Sequence, residues 1–245
     1  MGKSPAHYKQ AVDEDIGSEI GRYTKERGTA LHALVLGGPK VIKYDEKQRR
    51  GSYWEEFQKK HPADAHILTA KEFEKTHRMA LNILASNAAK PILRGAHEAV
   101  IDWNWCGRDC QSHVDILGTE HIAELKTCES AEPERFKWQS LRLGYHAQLA
   151  FYRMAAYATG KTNRIDVPCY IIAVESKPPY PVTLHKMSEE LLYKGEIMCR
   201  GWMERLIQCE ESGDWPGYSQ AITEMTAPQD DPELIYPDEE TPDNE

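Results

Sequence analysis

Residues 112–127 read SHVDILGTEHIAELKT, and the fold hangs on how this stretch is folded back on itself. Residues 110–117 have the composition of a strand, Gly118-Thr119-Glu120 supplies a turn, and residues 121–127 form the next strand. Side chains on a strand alternate between faces, so Glu124 and Lys126 point to one side and Leu125 to the other, into a core. An antiparallel partner brings Asp115 alongside them. Two carboxylates and an ammonium then meet at the surface of a sheet.

Upstream, Ala99, Ile101, Trp103 and Trp105 alternate with Glu98, Val100, Asp102 and Asn104, the two-residue period of a half-buried strand. With a turn at Cys106-Gly107-Arg108-Asp109, residues 97–127 form a three-stranded antiparallel meander. Downstream, residues 132–160 are predicted helical in two pieces meeting near Gly144. Strands follow at 167–174 and 180–186. Ser188 then caps a long last helix with Leu191, Met198, Trp202, Leu206 and Cys209 on one face. Toward the N-terminus, Ser4-Pro5 opens a short helix, residues 28–36 form another that stops at Gly37-Gly38, and residues 39–52 read as a long loop. Tyr53, Trp54 and Phe57 suggest a short amphipathic helix. Thr69 caps a longer one that runs to Asn87. The order predicts an α/β fold: a mixed central β-sheet, an antiparallel meander plus further strands, flanked by helices.

The chain has 245 residues and a formal net charge of −9. Residues 227–245, APQDDPELIYPDEETPDNE, hold eight acids and no base; without them the rest of the chain stands at −1. We expect one domain over 1–226 and an acidic, unstructured tail over 227–245, since such a composition buries too little apolar surface to fold alone. The tail is read as solvated, or as a partner-binding or DNA-mimicking strip. No apolar run is long enough to span a bilayer and the first residues carry no apolar leader, so a cytoplasmic location is expected. The six cysteines form no dense framework and are read as free thiols.

The carboxylate–carboxylate–lysine grouping suits phosphodiester hydrolysis. Carboxylate oxygens bind Mg²⁺ without a closed protein cage. A bound ion neutralises the phosphate and activates water, and a lysine beside it holds that water or the developing charge. On spacing alone, Glu-x-Lys fits a surface salt bridge better than a site. The next helix bears on the choice, because Tyr145, Gln148 and Tyr152 fall at i, i+3 and i+7 on one face. Gln148 can reach the phosphate or hold Lys126, and Tyr152 can support the same network.

Asp115, then Glu124-Leu125-Lys126, then Gln148-Leu149-Ala150-Phe151-Tyr152 resembles the PD-(D/E)XK nuclease superfamily, and Q-x-x-x-Y its RecB-like branch. SPAHYKQAV, GTALHALVL and GYHAQLAFYRMAA resemble the RecE or exodeoxyribonuclease VIII group of phage and prophage exonucleases. Val114 stands where the superfamily often has proline. The resemblance implies a restriction-endonuclease-like core and a Mg²⁺-dependent exonuclease, with Mn²⁺ substituting. The expected substrate is linear double-stranded DNA, digested from its ends 5′ to 3′ to leave 3′ single strands for recombination. It implies a ring oligomer and a single-strand annealing protein as partner. In Gly28-Thr29-Ala30-Leu31-His32 it implies a metal-binding histidine, so the implied metal set is His32, Asp115 and Glu124, with Glu98 binding through water or orienting His32. Catalytic roles fall to Asp115, Glu124, Lys126, Gln148 and Tyr152.

DNA contacts are assigned to Tyr145, to Arg49 and Arg50 in a basic stretch with Lys40, Lys43 and Lys47, and to Arg135 and Arg142 with Lys137 after the third strand. The alternatives are a non-catalytic adaptor that binds DNA ends, an endonuclease, and a single-strand-specific nuclease. Cys106, Cys110, His113, His121 and Cys128 lack the tight pairs of a zinc site. No cysteine precedes 106, against an iron–sulfur cluster of the RecB-like pattern, and no phosphate-cradling loop or nucleophile elbow is present.

Overall fold

The computed structural model describes residues 4–14, 22–46 and 49–224; the expected acidic tail and Lys47 lie outside the described residues. The elements in chain order are α1 (Pro5–Asp13), α2 (Arg22–Leu36), β1 (Val41–Tyr44), α3 (Ser52–Lys59), β2 (His66–Thr69), α4 (Ala70–Ala85), α5 (Ala89–Ile92), β3 (Ala96–Trp105), β4 (Arg108–Leu117), β5 (Ile122–Cys128), α6 (Pro133–Arg142), α7 (Tyr145–Ala158), β6 (Cys169–Glu175), β7 (Val182–Lys186) and α8 (Glu189–Ser212).

Strands β3 to β7 form a five-stranded sheet in sequence order. Neighbours are antiparallel except β5 and β6, which run parallel. A parallel connection needs a crossover, and α6 with α7 supplies it. Both faces of the sheet are covered. One face packs Ile101, Trp103, Val114, Ile122, Ile171 and Ala173 against Phe136 of α6, Leu149 and Tyr152 of α7, and Leu192 of α8. The other packs Ile116, Ala123, Leu125, Ile172 and Val174 against Leu31 and Val35 of α2 and Met79 and Ile83 of α4. Successive residues of β6 thus alternate between two cores, which is why CYIIAV, residues 169–174, reads as an unbroken apolar run.

Local chemistry explains the helix ends. The Ser4 hydroxyl accepts from the His7 N–H, and Pro5 opens α1 without wasting a donor. Thr69 and Glu72 form a reciprocal capping box at α4. Ser188 accepts from the Leu191 N–H at α8. Gly144, at φ +72°, turns α6 into α7.

The long loop expected over 39–52 is in part a strand: β1 pairs in parallel with β2. Its anchor is Tyr44, 1% exposed, whose ring is boxed by Tyr53, Trp54 and Phe57. The aromatic face of α3 exists to cover it. Strand β6 starts at Cys169 rather than 167, since Pro168 has no N–H for the ladder; its carbonyl still accepts from the Ile122 N–H at 3.0 Å. Strand β7 starts at Val182 rather than 180, because Tyr180 sits at φ +61°, off the extended region.

Candidate functional site

The β4–β5 ladder joins Leu117 to Ile122 and Ile116 to Ala123, and there it ends. Beyond that point the strands splay, and side chains fill the opening. The Asp115 carboxylate takes the place of a ladder acceptor: its Oδ2 accepts the Leu125 N–H at 2.7 Å. Asp115 and Glu124 are both buried, at 6% and 4% exposure, the desolvated position in which a carboxylate is costly unless something positive is near.

Helix α2 closes the opening from one side. The His32 Nε2–H donates to the Leu125 carbonyl at 3.1 Å. That bond fixes the ring so that Nδ1 faces Glu98 Oε1 at 3.2 Å and Asp115 Oδ1 at 3.5 Å. With Nε2 as the donor, a neutral imidazole presents a lone pair at Nδ1. Three acceptors then converge with no proton between them. The arrangement calls for a cation there, either a proton on the ring or a metal ion. One ligand atom from each of His32, Glu98 and Asp115 lies within 4.8 Å of the others. Glu98 reaches in from β3 with its backbone at φ +48°, an uncommon conformation for a non-glycine residue inside a strand.

Helix α7 closes the other side. Gln148 Nε2–H donates to Glu124 Oε1 at 2.9 Å and to the Tyr152 hydroxyl at 2.8 Å. Lys126 Nζ donates to the same Glu124 oxygen at 2.7 Å, and lies 4.9 Å from the Tyr145 ring centroid. Glu124 Oε2 is buried with no hydrogen-bond partner. An idle oxygen on a buried carboxylate fits a group that binds a ligand.

The electrostatics agree. Burial pushes the Glu124 carboxyl up to about 7 despite the Lys126 ammonium, and Asp115 moves the same way for the same reason. Burial alone would lower Lys126, but the Glu124 and Asp115 carboxylates outweigh it and hold the ammonium above its usual value. The His32 ring is likewise raised: burial opposes protonation, while the bond to Glu98 and the Asp115 charge override it. Desolvation lifts Tyr152 well above an ordinary phenol, so its hydroxyl stays neutral. The donor set of carboxylate oxygens with one imidazole nitrogen fits a hard or borderline divalent ion.

Most residues expected at the site are brought together: His32, Glu98, Asp115, Glu124, Lys126, Gln148 and Tyr152. Tyr145 is there too, with its ring against Lys126. Among the expected DNA contacts, Arg50, Arg135 and Arg142 are exposed. Arg49 is not presented to solvent. Its side chain is 9% exposed, pairs with Glu26 at 2.5 Å, and pairs with Glu72 of the α4 capping box. A cation in a basic stretch reads as surface, but here two acids from α2 and α4 draw it inward. Lys43 pairs with Asp45 at 3.2 Å. No group of three ligand-type side chains involves a cysteine among the described residues. Sequence reasoning missed the Leu125 main chain, which binds Asp115 through its N–H and His32 through its carbonyl; no residue type signals it.

A family model described as "PDDEXK-like domain of unknown function (DUF3799)" matches residues 1–228. No curated protein matches the chain. Among solved structures, one described as "Putative exonuclease" from Eubacterium rectale aligns with a TM-score of 0.61 at 14% identity, covering 84% of this chain and 74% of its own. At that identity the likeness bears on the fold alone.

Proposed function

The chain belongs to the PDDEXK-like family DUF3799, and from that premise we propose that it is a divalent-metal-dependent deoxyribonuclease acting on linear DNA. The observation that carries the proposal is that one ligand atom each of His32, Glu98 and Asp115 lies within 4.8 Å of the others. Glu124 is outside that group but close enough to Asp115 and His32 to feel their charge, and its Oε2 is buried without a partner.

In this reading Asp115 and His32 would hold the ion directly, Glu124 would offer its free oxygen, and Glu98 would orient His32 or bind through water. The ion, Mg²⁺ with Mn²⁺ substituting, supplies charge neutralisation at the phosphate and a water of lowered pKa. Lys126, held by Glu124 Oε1, would supply the ammonium that steadies the water and the charge gathering on the phosphate. Gln148 holds Glu124 and Tyr152 in register. Tyr152, kept neutral, can donate to a phosphate oxygen. The layered placement of these groups on strands and helices, rather than loops, favours a fixed geometry.

The 5′-to-3′ polarity, the ring oligomer and the hand-over of 3′ single strands to an annealing protein enter this proposal through the RecE-like resemblance. Sedimentation of the protein with DNA and Mg²⁺ tests the ring; a monomer removes it. The activity is tested with end-labelled linear duplex and covalently closed circular DNA, comparing the native chain with Lys126→Ala. Loss of linear duplex from its ends, with circles intact and the variant inert, is expected. Equal cleavage by both proteins, or none by either with Mg²⁺ or Mn²⁺, overturns it; the second result favours the adaptor reading.

A further inference from the structure

Helix α6 carries a face that the chemistry above does not use. Phe136 and Ser140 turn inward and are buried, while Arg135, Trp138 and Arg142 fall at i, i+3 and i+7 on the opposite side and are exposed. Trp138 is 55% exposed. Lys137 Nζ lies 5.7 Å from the Trp138 ring centroid and pairs with Glu134 at 3.3 Å. Among the described residues, neither Arg135 nor Arg142 forms an ion pair. The face is a half-exposed indole, with Lys137 against its ring, between two guanidinium groups that form no ion pair among the described residues, although Arg135 lies near enough to the Glu132 carboxylate to lower its pKa.

Its position is close to the site. α6 starts at Pro133, shortly after β5, the strand of Glu124 and Lys126, ends at Cys128. Its buried Phe136 lies 6.3 Å from the Tyr145 ring, which in turn touches Lys126. The outer face of α6 therefore lies one helix diameter, roughly 10 Å, across α6 from Phe136, which itself packs on Tyr145.

A second copy of the chain is a poor occupant. A two-fold contact would press Arg135 and Arg142 against the same arginines. Duplex DNA matches the charge but keeps its base faces stacked away from an indole. A single strand offers both unstacked bases and phosphates, the pairing that aromatic and arginine side chains accept without regard to sequence.

We propose that the Arg135–Trp138–Arg142 face of α6 is a docking platform for single-stranded nucleic acid, with a base stacked on Trp138 and flanking phosphates on the two arginines. The proposal rests on the nuclease reading for its purpose, which is to hold the strand that enters or leaves the site.

The test uses the full chain in EDTA, so that nothing is cut, with labelled oligothymidylate and a duplex of the same length followed by anisotropy. Trp138→Ala should weaken single-strand binding about 5- to 150-fold, the range of one base stack, and Trp138→Phe should restore most of it. The double variant Arg135→Gln/Arg142→Gln should flatten the salt dependence by about 0.7 per lost phosphate contact. Absence of single-strand binding by the native chain, or equal binding by Trp138→Ala, overturns the proposal. So does a Trp138→Ala protein that binds the oligonucleotide normally but sediments as a smaller species, which would make the face a contact between copies. The two readings fail separately. A chain that binds single strands through Trp138 yet cuts no DNA upholds the platform and sinks the nuclease. A chain that cuts DNA while Trp138→Ala binds normally does the reverse.

Discussion

The Leu125 main-chain N–H donates to the Asp115 carboxylate at 2.7 Å, across the point where β4 and β5 stop pairing. Asp115 is thus a structural acceptor and a candidate ligand at once. The two roles separate by substitution. Asp115→Asn keeps an acceptor for Leu125 and removes a charge from a crowded acidic site, so the metal-free protein should melt within a few degrees of the native chain. Asp115→Ala strands a buried N–H and should cost about 1–3 kcal/mol. Both should lose nuclease activity. Thermal melts in EDTA beside a cleavage assay check this, and an active Asp115→Asn would remove Asp115 from the metal set.

Tyr145 lies under the Lys126 ammonium, so its effect should appear in the chemical step. Tyr145→Phe keeps the ring and should retain most activity. Tyr145→Leu removes the cation–π contact, about 0.5–2 kcal/mol, and should lower kcat about 2- to 30-fold. DNA affinity measured in EDTA should not change. A shift in affinity with kcat intact would return Tyr145 to the DNA-contact role.

Two glycines of α8 should respond oppositely to alanine. A Cβ on Gly195 would fall 2.3 Å from the His146 carbonyl oxygen and 2.9 Å from Ala147 Cα, backbone atoms that cannot step aside. Gly195→Ala should push α8 off α7 and destabilise by about 1–3 kcal/mol. Gly201 has nothing within 4 Å, and Gly201→Ala should stabilise by up to about 1 kcal/mol through helix propensity. Denaturant melts of the pair check the α7–α8 approach; equal effects would contradict it.

Acid should weaken the fold through His146. Its Nε2–H faces Met198 Sδ at 3.0 Å, its Nδ1 is buried without a partner, and burial holds its pKa below the ordinary value. The unfolded chain therefore binds the proton more readily. The contribution to stability is complete above the unfolded pKa, about 6.5, and is lost progressively as pH falls from there through the lower folded value. His185, stacked on Phe136 and lowered by the same burial, acts in the same direction. The drop in melting temperature between neutral and mildly acid pH should shrink in His146→Leu. An unchanged drop would clear His146.

Arg49 should matter for stability and not for DNA. Arg49→Met removes the cation that Glu26 and Glu72 share. The partners are partly exposed, which screens the loss, so the cost should be about 1–3 kcal/mol rather than the larger figure for a fully buried pair. Oligonucleotide affinity should stay at the native level; a clear loss would restore the phosphate-contact role.

The meander and the two-piece helix around Gly144 were legible because alternation and glycine act locally. His97 to Thr127 needed only the period of two, and Gly144 the left-handed turn. The small β1–β2 sheet was not legible. VIKY is short and lacks alternation, and its strand character comes from Tyr44 sinking among three aromatic rings of a helix that follows it. The site residues were visible as residue types in order, yet their geometry was not. Nothing in the identity of Leu125 shows that its main chain serves both Asp115 and His32. Arg49 misled for the same reason: its partners come from α2 and α4, and only packing brings them together.

His32 comes from the helix layer on one side of the sheet, while Glu98 and Asp115 belong to the sheet itself. An ion shared among them would clasp α2 to the strands, and its binding energy would be charged against every opening that parts them. At a hundredfold excess over its dissociation constant that amounts to about 2.7 kcal/mol. Amide hydrogens of α2 and of β4 around Asp115 should therefore slow their exchange together as the ion is titrated in. Starved of metal, the protein would lose its edge and its cohesion in one step, leaving the disarmed form the easier one for a protease to clear.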